Sequence, residues 1–207
     1  VVNPVLAENR PMVVFSLPAS GHDWMYAPRW HRAGHPVALL ASSDYNELER
    51  ALRLLRVVPM MQQTRILLFP PARGTQAACT PDEVKKRLGA DVVAVEEKVF
   101  DDMITAADEA AVRAEIEAWT KGAKEIVEPT PEDIAKAARV SVALNRLIDQ
   151  EQADALAIGT CMGWLPRGFP CLGFARLRDR GIPAACEGDM DSVLTMLLFQ
   201  YAFDRPG

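Results

Sequence analysis

Glu187 stands in the kind of place where a carboxylate performs chemistry. It comes directly after the apolar run Ile182-Pro-Ala-Ala-Cys186 and is followed by Gly188 and Asp189. A carboxylate there could be a hard oxygen ligand for a divalent cation, or a general base that moves a proton. A purely structural role is the alternative, but Asp189 or Asp191 is a better residue than Glu187 to cap the following helix.

Cys161 occupies a comparable place at the end of a second apolar run. The run Asp154-Ala-Leu-Ala-Ile158 leads into Gly159-Thr160-Cys161. Both runs are short and apolar, as buried strands of a parallel sheet are. Ligands of open α/β sheets bind outside the carboxyl ends of the strands, so two neighbouring strands would bring Cys161 and Glu187 to one crevice. The sequence therefore predicts a site at this edge of a sheet.

Three further patterns have ordinary structural explanations. His31 and His35 are spaced like two metal ligands on a helix, but a neighbouring glycine and proline argue against a helix there. The glycines within 159–168 only loosely resemble a phosphate-binding loop, and no Lys-Ser or Lys-Thr follows them. Cys161 lies where a nucleophile would lie, yet no histidine occurs after His35 to activate it. Lining a pocket is the role that we predict for Cys161.

Short apolar runs alternate with helical patterns along the whole chain. The runs that we predict as strands are 11–17, 36–41, 65–69, 91–95, 154–158 and 182–186. Helices are predicted at about 45–58, 81–88, 100–122, 130–152, 170–180, and from 189 or 191 to 201. This order predicts an α/β fold of two Rossmann-like three-layer αβα domains with mainly parallel sheets.

A change in composition marks the predicted boundary between the two domains. The region from Gln62 through Ala78 contains adjacent prolines, a glycine and small polar residues, which are typical of a linker. We predict an N-terminal α/β domain over residues 1–63 and a second α/β domain over residues 64–207. The chain begins with Val1 and stops soon after a strong helical pattern, so further sequence is expected at one or both ends.

The composition disfavours several classes of protein. The 207 residues are 49% hydrophobic and 25% charged, which provides for a packed core and argues against disorder. The net charge of -5 offers no basic surface, so nucleic acid is not an expected partner. Neither a membrane span nor a signal peptide is visible, and membrane binding is not expected. Four cysteines without CxxC spacing predict reduced thiols and a cytoplasmic protein.

The segment from Pro170 to Met196 reads PCLGFARLRDRGIPAACEGDMDSVLTM and resembles the L-fucose isomerase family and its arabinose-type sugar isomerase relatives. Its most specific part is the sequence Cys-Glu-Gly-Asp with the Leu-Thr-Met that follows. The resemblance extends upstream through residues 88–95, 128–134 and 153–161, so that it covers about 64–207. Residues 1–63 are compatible with the family's first α/β domain but carry no signature of it.

The resemblance implies a metal-dependent aldose–ketose isomerase that acts on a hexose or pentose through an enediol, with Mn²⁺ as the typical ion. In such enzymes the ion chelates two substrate oxygens while carboxylates move the proton. The family's first metal-binding glutamate falls on Glu187, which is therefore expected to be both a metal ligand and a catalytic residue. Cys161, Met162 and Trp164 are expected to contact the substrate.

The family's second acidic ligand and its ligand histidine belong to a later portion, and this chain ends before either. We therefore expect the chain to be the two N-terminal domains of a longer enzyme, or a remnant that does not catalyse alone. The resemblance also implies a homo-trimer or homo-hexamer, and the aromatic residues from Trp24 to Trp30 are expected to be exposed and are of a type enriched at interfaces. The expected partner is a small-molecule sugar. The alternative function is a non-catalytic α/β sugar-binding or regulatory module.

Overall fold

A computed structural model of the chain describes residues 2–19, 22–164 and 166–204. The described residues form an α/β fold in which all paired strands are parallel. The predicted loop residues Ser20 and Gly21, and the outermost residues of the two predicted domains, Val1 and 205–207, lie outside the described residues.

The chain divides into two compact units. The first lies within residues 1–60 and also includes Tyr201–Phe203, and the second lies within residues 61–200 and also includes Asp204.

The first unit is built around two parallel strands. Strand β1 (Met12–Ser16) pairs with β2 (Val37–Ala41), with Met12 opposite Val37. Parallel strands require a crossover connection, and here a 3₁₀ turn at Asp23–Met25 and a short helix provide it. The helices that begin in this unit are α1 (Val2–Leu6), α2 (Ala27–Arg32) and α3 (Tyr45–Gln63).

Trp30 belongs to the small core of the first unit. It packs with Leu6, Ala27 and Val37 and is 7% exposed. Residues three apart share one face of a helix, so Ala27 and Trp30 both face β2. The prediction of exposed aromatic residues is therefore wrong for Trp30, whereas Trp24 is 61% exposed.

The second unit contains a four-stranded parallel sheet in the order β4-β3-β5-β6. Its strands are β3 (Arg65–Phe69), β4 (Asp91–Ala94), β5 (Ala155–Ile158) and β6 (Ala184–Ala185). From β4 the chain returns across β3 to form β5 on the other side of β3. The strand order thus reverses between β3 and β5, and such a reversal opens a crevice at the carboxyl ends of the two strands.

Helices connect and follow the strands of the second unit. They are α4 (Gln76–Cys79), α5 (Pro81–Leu88), α6 (Glu97–Thr105), α7 (Glu109–Gly122), α8 (Pro131–Glu151), α9 (Cys171–Asp179) and α10 (Met190–Phe203). Thr130 begins α8 with a capping box that it forms with Asp133. Among the described helices, none is long and apolar enough to cross a membrane.

Strands β3 and β5, at the centre of the sheet of the second unit, are buried on both faces. Leu67 and Phe69 of β3 share a core cluster with residues of α6, α8 and α9. Successive side chains of a strand point to opposite faces, yet Ile66 and Leu68 are buried as well. All four residues of β5 are also buried. Burial of both faces explains why these strands are continuous apolar runs instead of alternating patterns.

Two helix predictions require correction. The single helix predicted over 100–122 is two helices, α6 and α7. Asp108 begins the second by accepting a hydrogen bond from the Ala111 amide at 2.7 Å, which supplies a new N-cap after a break. The helix predicted to end at Val58 continues to Gln63, since Pro59 removes one backbone donor without ending it.

Two predictions about strands and linkers also require correction. The strand predicted over 182–186 is limited to Ala184–Ala185, because its pairing partner β5 offers only two residues in register there. The stretch 62–78, predicted as the boundary region, lies within the second unit, which begins at Met61, and it contains β3, which pairs with both β4 and β5. Prolines at the end of a buried strand produced the linker-like composition.

A polar cluster around Glu115 connects α7 with α8 and α9. Glu115 accepts hydrogen bonds from Trp119 Nε1 at 2.8 Å, Ser141 Oγ at 2.9 Å and Arg176 Nε at 3.1 Å. Burial alone would raise the pKa of the Glu115 carboxyl, but the hydrogen bonds from Arg176, Trp119 and Ser141 hold this pKa below its ordinary value of 4.5. The ionised carboxylate therefore stabilises the packing of three helices.

We expect Glu115→Gln to destabilise the protein by about 1–3 kcal/mol at neutral pH, because it weakens the bonds from Arg176 and leaves buried groups poorly paired. A lowered folded-state pKa stabilises the protein above pH 4.5 and stops doing so as the pH falls through the folded-state pKa. The difference between the variant and the wild type should therefore shrink below pH 4.5. Chemical denaturation at several pH values measures it. Glu117→Gln, on the exposed side of the same helix, is the matched control, and an equal effect there would contradict this role of Glu115.

Candidate functional site

Three loops meet at the carboxyl ends of β3, β5 and β6. The loop after β3 joins the loop after β6 through two backbone hydrogen bonds, from the Arg73 amide to the Gly188 carbonyl at 2.8 Å and from the Met190 amide to the Arg73 carbonyl at 2.9 Å. Strand β5 lies between these two strands in the sheet. The two loops therefore cross the end of β5, at the point where the strand order reverses.

Glycines at 159 and 188 allow this close approach. A Cβ atom on Gly159 would lie 2.6 Å from the Pro70 carbonyl carbon and would overlap the backbone of Pro71. A Cβ atom on Gly188 would lie 2.9 Å from the Gly159 Cα and would also overlap the Pro71 carbonyl oxygen. Gly188 has a φ of 64°, in the left-handed region that glycine adopts without strain. The backbone of the site is thus closely packed.

Glu187 has an uncommon backbone conformation for a residue with a side chain, with φ at 57°. Its Oε1 accepts a hydrogen bond from Cys161 Sγ at 2.9 Å, and its Oε2 lies 3.5 Å from Arg73 Nη1. The side chain is 45% exposed. The contact with Cys161 confirms the prediction that these two residues meet at one crevice. Backbone strain of this kind persists where the surrounding structure imposes it, and it is concentrated at functional sites.

Cys161 is buried beside a second thiol. Its Sγ lies 2.9 Å from Cys186 Sγ, and Cys186 is exposed. Burial, together with hydrogen bonds to Cys186 and Glu187, raises the pKa of the Cys161 thiol from 9.0 to about 12. The thiol is therefore protonated at neutral pH, and this argues against Cys161 as an activated nucleophile.

The two aspartates next to Glu187 are occupied by structural hydrogen bonds. Asp189 begins α10 by accepting a hydrogen bond from the Ser192 amide at 2.9 Å. Asp191 accepts hydrogen bonds from the Thr75 amide at 2.7 Å and the Thr75 hydroxyl at 2.9 Å. Of the two candidates for the helix cap, Asp189 is therefore the residue that forms it. Glu187 remains the acid of this segment with a partly exposed carboxylate that faces the other loops.

Met162 and Trp164 lie on the 3₁₀ turn that follows β5 and point in different directions. Met162 is 72% exposed, while Trp164 is 1% exposed. The Trp164 ring lies 5.2 Å from the ring of Phe69 and 5.2 Å from that of Phe100. Its indole nitrogen has no hydrogen-bond partner within the described part of the chain. Trp164 therefore anchors the turn in the core, and contact of Met162 or Trp164 with a substrate stays a prediction.

Arg73, Cys161, Cys186 and Glu187 form a strand-end cluster. Arg73 and Cys186 were missed as site residues from the sequence. Arg73 follows β3 by four residues, and its side chain is 61% exposed. A signal existed, because a cation just beyond a buried strand lies at the edge where ligands bind. It was concealed because the stretch around Pro70–Pro71 has the composition of a linker.

His31 and His35 belong to no group of three or more potential metal ligands among the described residues. His31 lies with its Nε2 atom 2.7 Å from the Val37 carbonyl oxygen. The potential metal-ligating group found among residues 2–19, 22–164 and 166–204 consists of Cys161, Cys186 and Glu187, whose ligand atoms lie within 4.8 Å of one another.

These three residues fit a manganese ion only in part. Mn²⁺ prefers carboxylate, carbonyl and water oxygens, whereas thiolates select softer ions such as Zn²⁺. The Glu187 carboxylate is one suitable ligand for Mn²⁺, whereas the thiols of Cys161 and Cys186 are not suitable ligands. A complete manganese site on Glu187 therefore needs oxygen or nitrogen ligands other than these cysteines.

A surface cavity of about 510 Å³ lies beside the cluster. It is bordered by Cys186 and by polar side chains of the following turn and helix, among them Asp191, Ser192 and Thr195. A larger cavity of about 840 Å³ lies among α7, α8 and α9, and none of its lining residues belongs to the cluster. Since ligands bind outside the strand ends in such sheets, the smaller cavity is the better placed one.

The chain matches no protein-family model and no curated protein sequence. The relation to the L-fucose isomerase family stays a prediction from the segment around Glu187.

We expect Gly159→Ala to destabilise the second unit by about 1–3 kcal/mol, because the added methyl overlaps backbone atoms that have no room to move. Gly163→Ala is the matched control, since a Cβ atom there would meet its nearest neighbour, Thr160 Cβ, at 4.0 Å. Thermal and denaturant unfolding of both variants measures the difference. Equal stability of the two variants would contradict the close approach of the loops.

Proposed function

We propose that the chain is part of a metal-dependent aldose–ketose isomerase of the L-fucose isomerase-like family, which acts on a hexose or pentose through an enediol. The observation that carries this proposal is the position of Glu187. Its backbone lies in the left-handed region, and its carboxylate is partly exposed beside the reversal of strand order. It also lies within the most family-like part of the sequence. In the same proposal, the parallel sheets belong to two Rossmann-like three-layer domains.

Glu187 and Arg73 have complementary roles in this proposal. The Glu187 carboxylate takes the proton from C2 of the aldose, the C2–H electrons form the C1–C2 double bond, and the C1 carbonyl oxygen gains a proton. Return of a proton to C1 and loss of one from the C2 hydroxyl give the ketose. Arg73, whose Nη1 lies 3.5 Å from Glu187, places a positive charge beside the developing enediolate. A bound Mn²⁺ would polarise the carbonyl and stabilise the same charge.

A carboxylate can transfer the proton only while it is accessible to the substrate. Glu187 is 45% exposed, and Arg73 Nη1 lies 3.5 Å from its Oε2. Residues outside the cluster are required to complete the ion's ligands, because the neighbouring aspartates are engaged with Thr75 and Ser192. We therefore assign Glu187 as ligand and proton-transfer group, with the remaining ligands supplied from outside the cluster.

A non-catalytic sugar-binding or regulatory module is the second candidate. The polar lining of the cavity beside Cys186 favours it, because hydroxyl and carboxylate groups bind sugar hydroxyls without any metal. Such a module needs no proton-transfer group, so sugar binding without loss of the C2 hydrogen would identify it.

We expect Glu187→Gln to reduce turnover of the complete protein by about 10²–10⁴-fold, because the amide keeps the shape of the side chain but is not a base. The assay supplies Mn²⁺ and a panel of aldohexoses and aldopentoses. It follows both the ketose formed and the exchange of the substrate C2 hydrogen with deuterated solvent.

Glu96→Gln is the matched control, because Glu96 is an exposed acid that follows β4 of the same sheet. It should leave both readouts unchanged. Full turnover in the Glu187 variant, with an unchanged melting temperature, would exclude Glu187 from catalysis. No exchange with any aldose in the wild type would reject the isomerase proposal.

We further propose that the complete protein assembles as a homo-trimer or homo-hexamer. Trp24 and Tyr26 are 61% and 52% exposed, and exposed aromatic residues are enriched at interfaces. Light scattering should report three or six copies, and Trp24→Ser should shift the population to smaller species. Val127→Ser, which replaces a residue that is 78% exposed in the second unit, is the control. A monomer at micromolar concentration would contradict the assembly.

A further inference from the structure

Two thiols of the strand-end cluster have no role in the proposed isomerisation. Cys161 and Cys186 lie with their sulfur atoms 2.9 Å apart, and Cys161 Sγ lies 2.9 Å from Glu187 Oε1. Two sulfur atoms and a carboxylate oxygen thus converge within 4.8 Å, although 25 residues separate the two cysteines in sequence. Convergence of soft and hard ligand atoms from two separate loops is the arrangement that binds a cation.

The backbone positions of all three residues are set by the packed loops. The Gly159 amide donates to the Phe69 carbonyl at 2.7 Å, two residues before Cys161. The Gly188 amide donates to the Ile158 carbonyl at 2.6 Å, directly after Glu187. Trp164 anchors the turn that begins at Cys161 in the core. Ligand backbones that are fixed in this way reduce the cost of ordering the site when an ion binds.

The ligand chemistry fits a thiophilic ion. Zinc binds cysteine sulfur at about 2.3 Å and carboxylate oxygen at about 2.0–2.2 Å in tetrahedral geometry, so that two sulfur ligands lie roughly 3.8 Å apart. The sulfur atoms of Cys161 and Cys186 are 2.9 Å apart and must separate by roughly 0.9 Å. Because Cys186 is exposed, its side chain can turn by this amount without disturbing the core.

The charges of the three ligands and the access to them from solvent also fit a divalent cation. Binding of the ion displaces the protons of both thiols to solvent. The resulting two thiolates and the carboxylate carry three negative charges, of which a divalent ion offsets two. Arg73, with its Nη1 atom 3.5 Å from Glu187 Oε2, supplies the remaining positive charge. Cys186 borders a cavity of about 510 Å³, through which an ion and a water molecule as fourth ligand can reach the cluster.

We propose that Cys161, Cys186 and Glu187 form a binding site for Zn²⁺ or a similar thiophilic divalent cation, with the fourth position open to water. Zinc sites that keep one position open to water or substrate usually have three protein ligands. The site does not depend on the proposed isomerase activity. One consequence does rest on that activity: zinc at this site occupies the carboxylate that would ligate Mn²⁺, so zinc inhibits turnover.

Cobalt(II) titration of the full chain, in a non-thiol reductant that keeps the cysteines reduced, tests the site. Thiolate ligation of cobalt produces an intense near-ultraviolet charge-transfer band, which oxygen ligands do not produce. We expect one such band in the wild type. Zinc should abolish it at about one equivalent, because zinc binds such sites more tightly than cobalt, and manganese should not abolish it.

Single and paired variants assign the band to its ligands. Cys161→Ser and Cys186→Ser should each weaken cobalt affinity by at least about tenfold, because each removes a direct ligand and even indirect partners cost that much. Glu187→Gln should weaken the affinity while the band remains. The matched control is the double variant Cys79→Ser with Cys171→Ser, which removes the other two free cysteines and should leave the titration unchanged.

The outcomes separate this site from the proposed function. Absence of the band in the wild type, or a band that persists when both Cys161 and Cys186 are serine in a folded protein, overturns the site. A band that depends on Cys79 or Cys171 overturns it as well. Cobalt binding with the expected cysteine dependence supports the site even if no aldose reacts. The absence of a reaction with any aldose rejects only the isomerase proposal.

Discussion

The close approach of three loops over the end of β5 is the constraint on which the rest of the site depends. Gly159 and Gly188 face the backbone of Pro70–Pro71 with no room for a Cβ atom on either residue. Strand β5 lies between β3 and β6 in the sheet. The loops that follow β3 and β6 can therefore meet above β5 only because Gly159, directly after β5, has no side chain. Side chains that are distant in sequence thereby become neighbours.

The electrostatics of the cluster follow from this packing. Glu187 is held in the left-handed region with one oxygen toward a buried thiol and the other toward Arg73. Arg73 Nη1 lies 3.5 Å from one carboxylate oxygen, and the Cys161 thiol donates a hydrogen bond to the other. A carboxylate that is partly exposed and set in one orientation is suited to proton transfer and to cation binding. The proposed manganese and zinc sites therefore share the Glu187 carboxylate.

The turn that carries Cys161 is positioned by the hydrophobic core and not by the site itself. Trp164 packs with Phe69 and Phe100, so the turn is joined to β3 and α6 through three aromatic rings. Aromatic pairs of this kind contribute about 0.5–1.5 kcal/mol beyond their buried area. Trp164 thus positions the turn that carries Cys161 through its packing in the core. Met162, which projects into solvent from the same turn, is the opposite case.

The sequence by itself determined the parallel α/β character, most strand positions and the meeting of Cys161 with Glu187, because apolar runs and their ends are local properties of the chain. Only the tertiary structure decided that Arg73 and Cys186 join them, since this depends on the strand order and on loops that cross the sheet end. Strand pairing decided that the stretch 62–78, which holds the predicted strand 65–69, belongs to the sheet of the second unit. The break within 100–122 is a local feature, because Asp108 caps α7 through the Ala111 amide, and it was missed from the sequence. Burial of Trp30 and Trp164 was decided by the elements that pack against them.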